Sequence, residues 1–276
     1  MDRIRLIASD MDATLLDEQS QLPADFEETI HALAELGIRF APASGRPLYT
    51  LEAMFPTLQD ELVFIGDNGG AIRWKGQNLF TSEMSPEGWR ALNRLTREQG
   101  DIAVLCGLES AYVERPFAVH DAVLRHFYTK IEYVDRLEDV TAPADKFTIY
   151  LPQHNAQQAY DTVYASQRSI YSVAVAGECW VDIMNPGVHK GAALQTLGQL
   201  WGLPSESMMA FGDTYNDAEM LRTAKYGFLM ENGSAPLRQK VPFLAPSHRE
   251  AGVMQVLHRV LAQNGCVCPE DFIPAH

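Results

Sequence analysis

Short apolar runs, each halted by polar and glycine residues, alternate along both ends of the chain with stretches whose apolar positions recur at helical spacing. Residues 4–9 form the first such run, rich in β-branched side chains and ending at acids, which predicts a buried strand followed by a loop. Pro23 then precedes Phe26, Ile30, Leu33 and Leu36 at helical spacing, and Gly37 stands where a helix C-cap is wanted. A second strand is predicted over 38–43, stopping at Ser44-Gly45-Arg46-Pro47, and a third over 62–65, stopping at Gly66-Asp67-Asn68-Gly69-Gly70. Strand, helix and strand in this order predict right-handed parallel βαβ units.

From about residue 84 the rhythm changes. A helix over 86–99, strands over 102–105 and 111–115, a helix around 118–127, a strand over 146–151, a helix over 156–166 and strands over 171–176 and 179–183 read as an α+β segment. After Pro186-Gly187 the earlier rhythm resumes, with helices over 190–201, 216–224 and 253–262 and strands over 208–211 and 227–230. No internal repeat or low-complexity tract interrupts it. The expected architecture is α/β: a Rossmann-like, doubly wound parallel-sheet core built from residues 1–83 and 187–276, with an α+β cap domain of residues 84–186 spliced into it. Polar residues gather where the predicted strands end, which is where open α/β sheets bind ligands.

Composition narrows the partners. A chain of 276 residues with 46% hydrophobic side chains can bury a full core and exceeds the usual size of one domain. The net charge of -14 leaves no surplus of Lys and Arg to neutralise a phosphate backbone, which argues against nucleic acid as a general partner. The first apolar run meets Asp10 too soon to serve as a signal segment or membrane span, so no membrane partner is expected, and the location expected is cytoplasmic. Cys106, Cys179, Cys266 and Cys268 are too scattered for a disulfide framework or a zinc site and read as reduced.

Asp10 and Asp12 lie two residues apart at a strand exit, where side chains at i and i+2 point the same way and like charges repel unless a cation intervenes. A solvated acidic turn, with Asp12 capping the next helix, is the alternative. Asp213 and Asp217 follow another apolar strand and open a helix, adding carboxylates at the same sheet edge; either could equally be an N-cap. Such acids with water form the all-oxygen ligand set that magnesium prefers. Ser44-Gly45-Arg46 offers a hydroxyl and free backbone N–H groups suited to a phosphate oxygen, or is an ordinary turn. Lys190 could neutralise a phosphoryl oxygen or simply face solvent.

Taken together, Asp10-Met11-Asp12-Ala13-Thr14-Leu15, Ser44-Gly45-Arg46, Asn68-Gly69-Gly70, Asn185-Pro186-Gly187-Val188-His189-Lys190-Gly191 and Gly212-Asp213-Thr214-Tyr215-Asn216-Asp217 resemble, in order and approximate spacing, the haloacid dehalogenase-like hydrolases. Within them the chain looks like the Cof-type sugar-phosphate phosphatases with a large cap (type IIB). The resemblance implies a Mg²⁺-dependent phosphatase acting on a small phosphorylated metabolite. It implies Asp10 as the nucleophile that forms an aspartyl-phosphate and Asp12 as general acid, then base. It further implies that Mg²⁺ is held by the Asp10 carboxylate, the Asp12 backbone carbonyl and Asp213, with Asp217 supporting metal waters or Lys190. Ser44, Asn216 and Lys190 would hold the phosphoryl group, and Gly45 would lend a backbone amide.

One departure is Ala13, where the family usually has Gly. A Cβ there hinders backbone angles and close phosphate approach that glycine allows. It motivates one rival reading, a catalytically weak phosphate-binding relative. A phosphomutase-like transferase is a second, although the small helical cap expected early in such chains is absent. A receiver-type signalling module is a third, but receivers are far shorter and lack an acid two residues after the acceptor. Substrate contacts in the cap are expected from Glu178, Trp180 and Asp182 or from Arg115, His120 and Arg125, with a half-buried strand the preferred account of Trp180 and Asp182. Homo-oligomerisation is left open.

Overall fold

The computed structural model describes all of residues 1–276. Its larger sheet has nine strands, in the order Ile273–Pro274, Phe243–Ala245, Tyr226–Met230, Met208–Gly212, Leu6–Asp10, Arg39–Ala43, Val63–Gly66, Ala71–Trp74 and Gln77–Thr81. From Phe243–Ala245 across to Val63–Gly66 the neighbours run parallel. The strand Leu6–Asp10 lies between Arg39–Ala43 and Met208–Gly212, so the chain builds outward on one side of it before the insertion and on the other side afterwards. This reversal leaves a crevice at the carboxyl ends of Leu6–Asp10 and Met208–Gly212.

Both faces of this sheet are covered, which is why its strands read as unbroken apolar runs. Ile7, Phe40, Phe64, Met209 and Phe211 pack on one face in a cluster shared with the helices Phe26–Glu35 and Gly252–Ala262. Leu6, Ala8, Ala41, Val63 and Ala210 face the other way, against Lys190–Trp201 and Ala218–Thr223. The small alanines bring those helices close, and Gly191 brings them close to each other, because a Cβ there would strike the Glu219 backbone.

The second sheet has six strands, in the order Ser172–Val175, Trp180–Met184, Ala144–Tyr150, Ile102–Gly107, Ala111–Glu114 and Ile131–Val134. Only its last pair is parallel. A separate apolar cluster around Trp89, Phe147, Tyr164 and Ile183 packs the helices Pro86–Gln99 and Ala156–Asp161 onto it. Pro86–Gln99 starts where expected because Ser85 caps it, its hydroxyl accepting from the Gly88 N–H at 3.1 Å.

Some expectations need correction. The helix expected around 118–127 is a 3₁₀ turn, Arg115–His120, followed by a short helix, Asp121–Phe127. That expected over 156–166 stops at Asp161. A hairpin, Ala71–Trp74 with Gln77–Thr81, was not foreseen, although Lys75-Gly76 forms a two-residue turn with positive φ at both positions. No helix is long and apolar enough to cross a membrane.

Candidate active site

The crevice gathers the acids singled out above. Oxygen atoms of Asp10, Asp213 and Asp217 all lie within 4.8 Å of one another. Lys190, at the start of its helix, is fully buried and donates from Nζ to Asp10 Oδ1 and, at 2.7 Å, to Asp217 Oδ1. Asp217 also accepts, through Oδ2, the N–H groups of Asp213 and Thr214 at 3.0 and 3.2 Å. Asp217 thus ties down the loop and partners the lysine, and its side chain makes no capping bond to the helix that follows it. Gly212 makes this packing feasible, because a Cβ there would overlap the Asp217 side chain.

Three carboxylates stand near one ammonium group, which pairs with Asp10 and Asp217, so the cluster carries excess negative charge when ionised. Burial, then the charge of Asp217, pushes the Asp10 pKa up to about 8 despite Lys190. The same two causes lift Asp213 to about 7. Burial works against the Lys190 charge, but Asp10 and Asp217 outweigh it and hold its pKa above the ordinary lysine value. An all-oxygen donor set with surplus negative charge fits a hard divalent cation.

Asp12 stands apart from this cluster. The strand ends at Asp10, and the next residues turn tightly, so the i, i+2 alternation that would aim both carboxylates one way no longer applies. The Asp12 side chain is 57% exposed and pairs with Arg46, whose Nη2 donates to both carboxylate oxygens at 3.0 and 3.2 Å. The Ser44-Gly45-Arg46 motif implies no role for Arg46, and opposite charge is the sequence's only signal of its partnership with Asp12. Ala13 adopts φ +57°, the left-handed region that glycine tolerates freely and alanine occupies at a cost of about 1–2 kcal/mol. Ala13→Gly is expected to raise the thermal midpoint by roughly 2 °C, part of the relief being offset by glycine's unfolded-state entropy. A lower midpoint in calorimetry would contradict this.

Asp10, Asp12, Ser44, Gly45, Asp213 and Asn216 line one cavity of about 590 Å³ between the two sheets. Ser44 is buried, while Asn216 is exposed, its Oδ1 accepting the Thr214 hydroxyl. The far wall comes from the inserted segment: Lys146, Thr148, Trp180 and Asp182 from its sheet, with Phe127, Tyr128 and Glu178 from the chain beside it. Trp180 and Asp182 are thus buried strand residues that also face the cavity. Arg115, His120 and Arg125 do not line it. His189 serves local structure, capping its helix by accepting the Ala192 N–H at 3.1 Å. Asp67 and Asn68 form a tight turn with positive φ, and Asn68 also reaches the cavity and donates to Asp182 at 2.9 Å.

Comparison with known proteins accords with this geometry. The sequence model of the haloacid dehalogenase-like hydrolases matches residues 7–257. The chain belongs to that family. It is 32% identical over 262 residues to the 5-amino-6-(5-phospho-D-ribitylamino)uracil phosphatase YbjI of Escherichia coli, covering 94% of this chain and 96% of the relative. An HMP-PP phosphatase of Cronobacter sakazakii is 31% identical over 249 residues, covering 87% and 89% of the two chains. The solved structure of SMU.1108c from Streptococcus mutans superimposes with a TM-score of 0.85 at 29% identity, covering 94% of this chain and 99% of that one. As a haloacid dehalogenase-like hydrolase with a core and an inserted cap, the chain is an enzyme, a phosphoric monoester hydrolase.

Proposed function

We propose that this hydrolase is a Mg²⁺-dependent phosphatase of small phosphorylated metabolites, sugar phosphates included, working through an aspartyl-phosphate on Asp10. The observation that carries this reading is the grouping of Asp10, Asp213 and Asp217 at the sheet's crevice, with buried Lys190 paired to Asp10 and Asp217. Asp10 attacks phosphorus as a carboxylate while the bond to the leaving oxygen breaks, and Asp12 gives that oxygen a proton. In the second half Asp12 takes a proton from water, the water oxygen bonds to phosphorus, and the Asp10–phosphorus bond breaks to release inorganic phosphate. Asp10, Asp213 and the Asp12 backbone carbonyl, with Asp217 behind, would hold a magnesium ion, whose positive charge would let an anionic carboxylate meet an anionic phosphate. Lys190, the Ser44 hydroxyl, the Gly45 amide and Asn216 hold the phosphoryl oxygens, so catalysis is chiefly positioning and charge stabilisation.

We take residues 84–186 as the cap domain and 1–83 with 187–276 as the core. The cavity's aromatic side chains, Phe127, Tyr128 and Trp180, suit a leaving group with a flat or apolar face, and its volume lies within the usual range for metabolite sites of roughly 300–1,000 Å³. Two of the relatives named above are, by their names, phosphatases of 5-amino-6-(5-phospho-D-ribitylamino)uracil and of HMP-PP, so those compounds belong with sugar phosphates in the substrate panel. Free cysteines and the acidic net charge support a cytoplasmic setting without nucleic acid.

Phosphate release from p-nitrophenyl phosphate tests the reading: turnover is expected with Mg²⁺, lost on chelation and restored by re-addition. Stoichiometric phosphorylation without turnover would replace it with a receiver-like role. Thermal melts give an independent check on the ion. Asp10 and Asp213 have folded pKa values above their ordinary 3.8, so the metal-free protein holds extra protons and loses stability as pH rises from about 4 towards 8. A divalent cation removes that penalty, so Mg²⁺ is expected to raise the midpoint by roughly 5 °C at pH 8 and by less at pH 5.5. An equal shift at both values would contradict the assignment of these ligands.

A further inference from the structure

The Ser44-Gly45-Arg46 turn is held at each of its carbonyls. That of Ser44 accepts the Asn68 N–H and that of Arg46 accepts the Asp67 N–H, both at 2.9 Å and both from the neighbouring core strand end. The carbonyl of Gly45 is different. Its donor is the Lys146 ammonium, 2.5 Å away, which descends from the strand Ala144–Tyr150 in the cap sheet. This carbonyl belongs to the Gly45–Arg46 peptide, and the N–H of the same peptide donates to Ser44 Oγ at 3.1 Å. With that N–H on the oxygen, the serine's own hydrogen remains to be donated elsewhere.

Lys146 is 2% exposed, with Asp67 at 3.0 Å and Asp182 at 3.7 Å. Asp182 is itself fixed by donors on both sides of the domain boundary, Asn68 from the core and Thr148 from the cap. An ion cluster buried this deeply is weak as a device for stability, since removing charges from water costs about what their attraction returns. Its position at the backbone of the phosphate-holding turn gives it another use.

We propose that Lys146 is a positioning residue: by grasping the Gly45 carbonyl from the cap, it fixes the Gly45–Arg46 peptide and through it the Ser44 hydroxyl, so the phosphoryl cradle is complete only when cap and core are joined. The inference rests on the reading of Ser44 as a phosphoryl-holding group. It makes Lys146 act through Ser44 and not on the substrate.

A double-mutant cycle on p-nitrophenyl phosphate turnover in Mg²⁺ tests this. Loss of one hydrogen bond to a charged phosphoryl group predicts that Ser44→Ala lowers kcat/KM about 10–100-fold. Lys146→Met should cost a similar factor alone but less than about threefold in the Ser44→Ala background, because residues acting as a unit are not additive. Fully multiplied losses would overturn the proposal and leave the phosphatase reading intact. Wild-type kcat/KM in Ser44→Ala would instead overturn the role of Ser44 and the proposal with it. Should Lys146→Met fail to fold by circular dichroism, the same cycle is run with Lys146→Met added to Asp67→Asn, which removes one charge of each sign, and Asp67→Asn serves as the reference.

Discussion

Asp10→Asn is expected to abolish phosphate release, by on the order of 10⁴-fold or more, while leaving the fold intact. Asparagine has nearly the same shape, and its carbonyl oxygen can still accept from Lys190, so the buried contact survives. The amide is no nucleophile, and without it no phosphoryl group can be carried on the chain. A second consequence runs the opposite way. Asp10 sits among like charges, with burial and Asp217 pushing its pKa up, so deleting one negative charge relieves the metal-free protein. The variant should therefore melt at a higher temperature than the wild type at pH 8 without metal, and respond less to Mg²⁺. Kinetics with p-nitrophenyl phosphate and paired melts check both statements. A rate within a hundredfold of wild type would show that water attacks phosphorus directly and that Asp10 serves only as a ligand.

The core was legible because its physics is local. Strands covered on both faces announce themselves as apolar runs, and the run over 4–9 and the strand Met208–Gly212 were found for that reason. The acids at their ends were then placed together by topology alone, since parallel neighbours share one carboxyl edge. What stayed hidden depends on contacts between distant segments. Nothing in a single sequence pairs Lys146 with Gly45, 101 residues away, or brings Asn68 to Asp182, 114 residues away. Lys146 opens the strand expected over 146–151 with no role assigned to it, yet it is buried with its neighbours. Asp12 shows the limit of a periodic rule: alternation holds inside a strand and fails past its last residue, Asp10, in the turn where Ala13 takes a left-handed conformation.

That displacement of Asp12 makes its replacement informative. The carboxyl lies at the cavity wall, more exposed than Asp10 and gripped by Arg46, where it can meet both a departing oxygen and an incoming water. As a proton donor it is worth on the order of 10²–10⁴-fold for a leaving group that departs as a basic alkoxide. Such a loss is expected when Asp12→Asn is assayed on a sugar phosphate. With p-nitrophenyl phosphate the leaving anion is stable without a proton, so the first half-reaction should proceed nearly as in the wild type. The second half-reaction still lacks its base, and the aspartyl-phosphate should accumulate. The variant is therefore expected to release one rapid equivalent of nitrophenolate and then stall, with intact-mass measurement showing a phosphoryl group on the chain. Equal losses with both leaving groups and no phosphorylated chain would mean that Asp12 acts before either proton transfer, by holding Arg46 or the metal-binding turn in place.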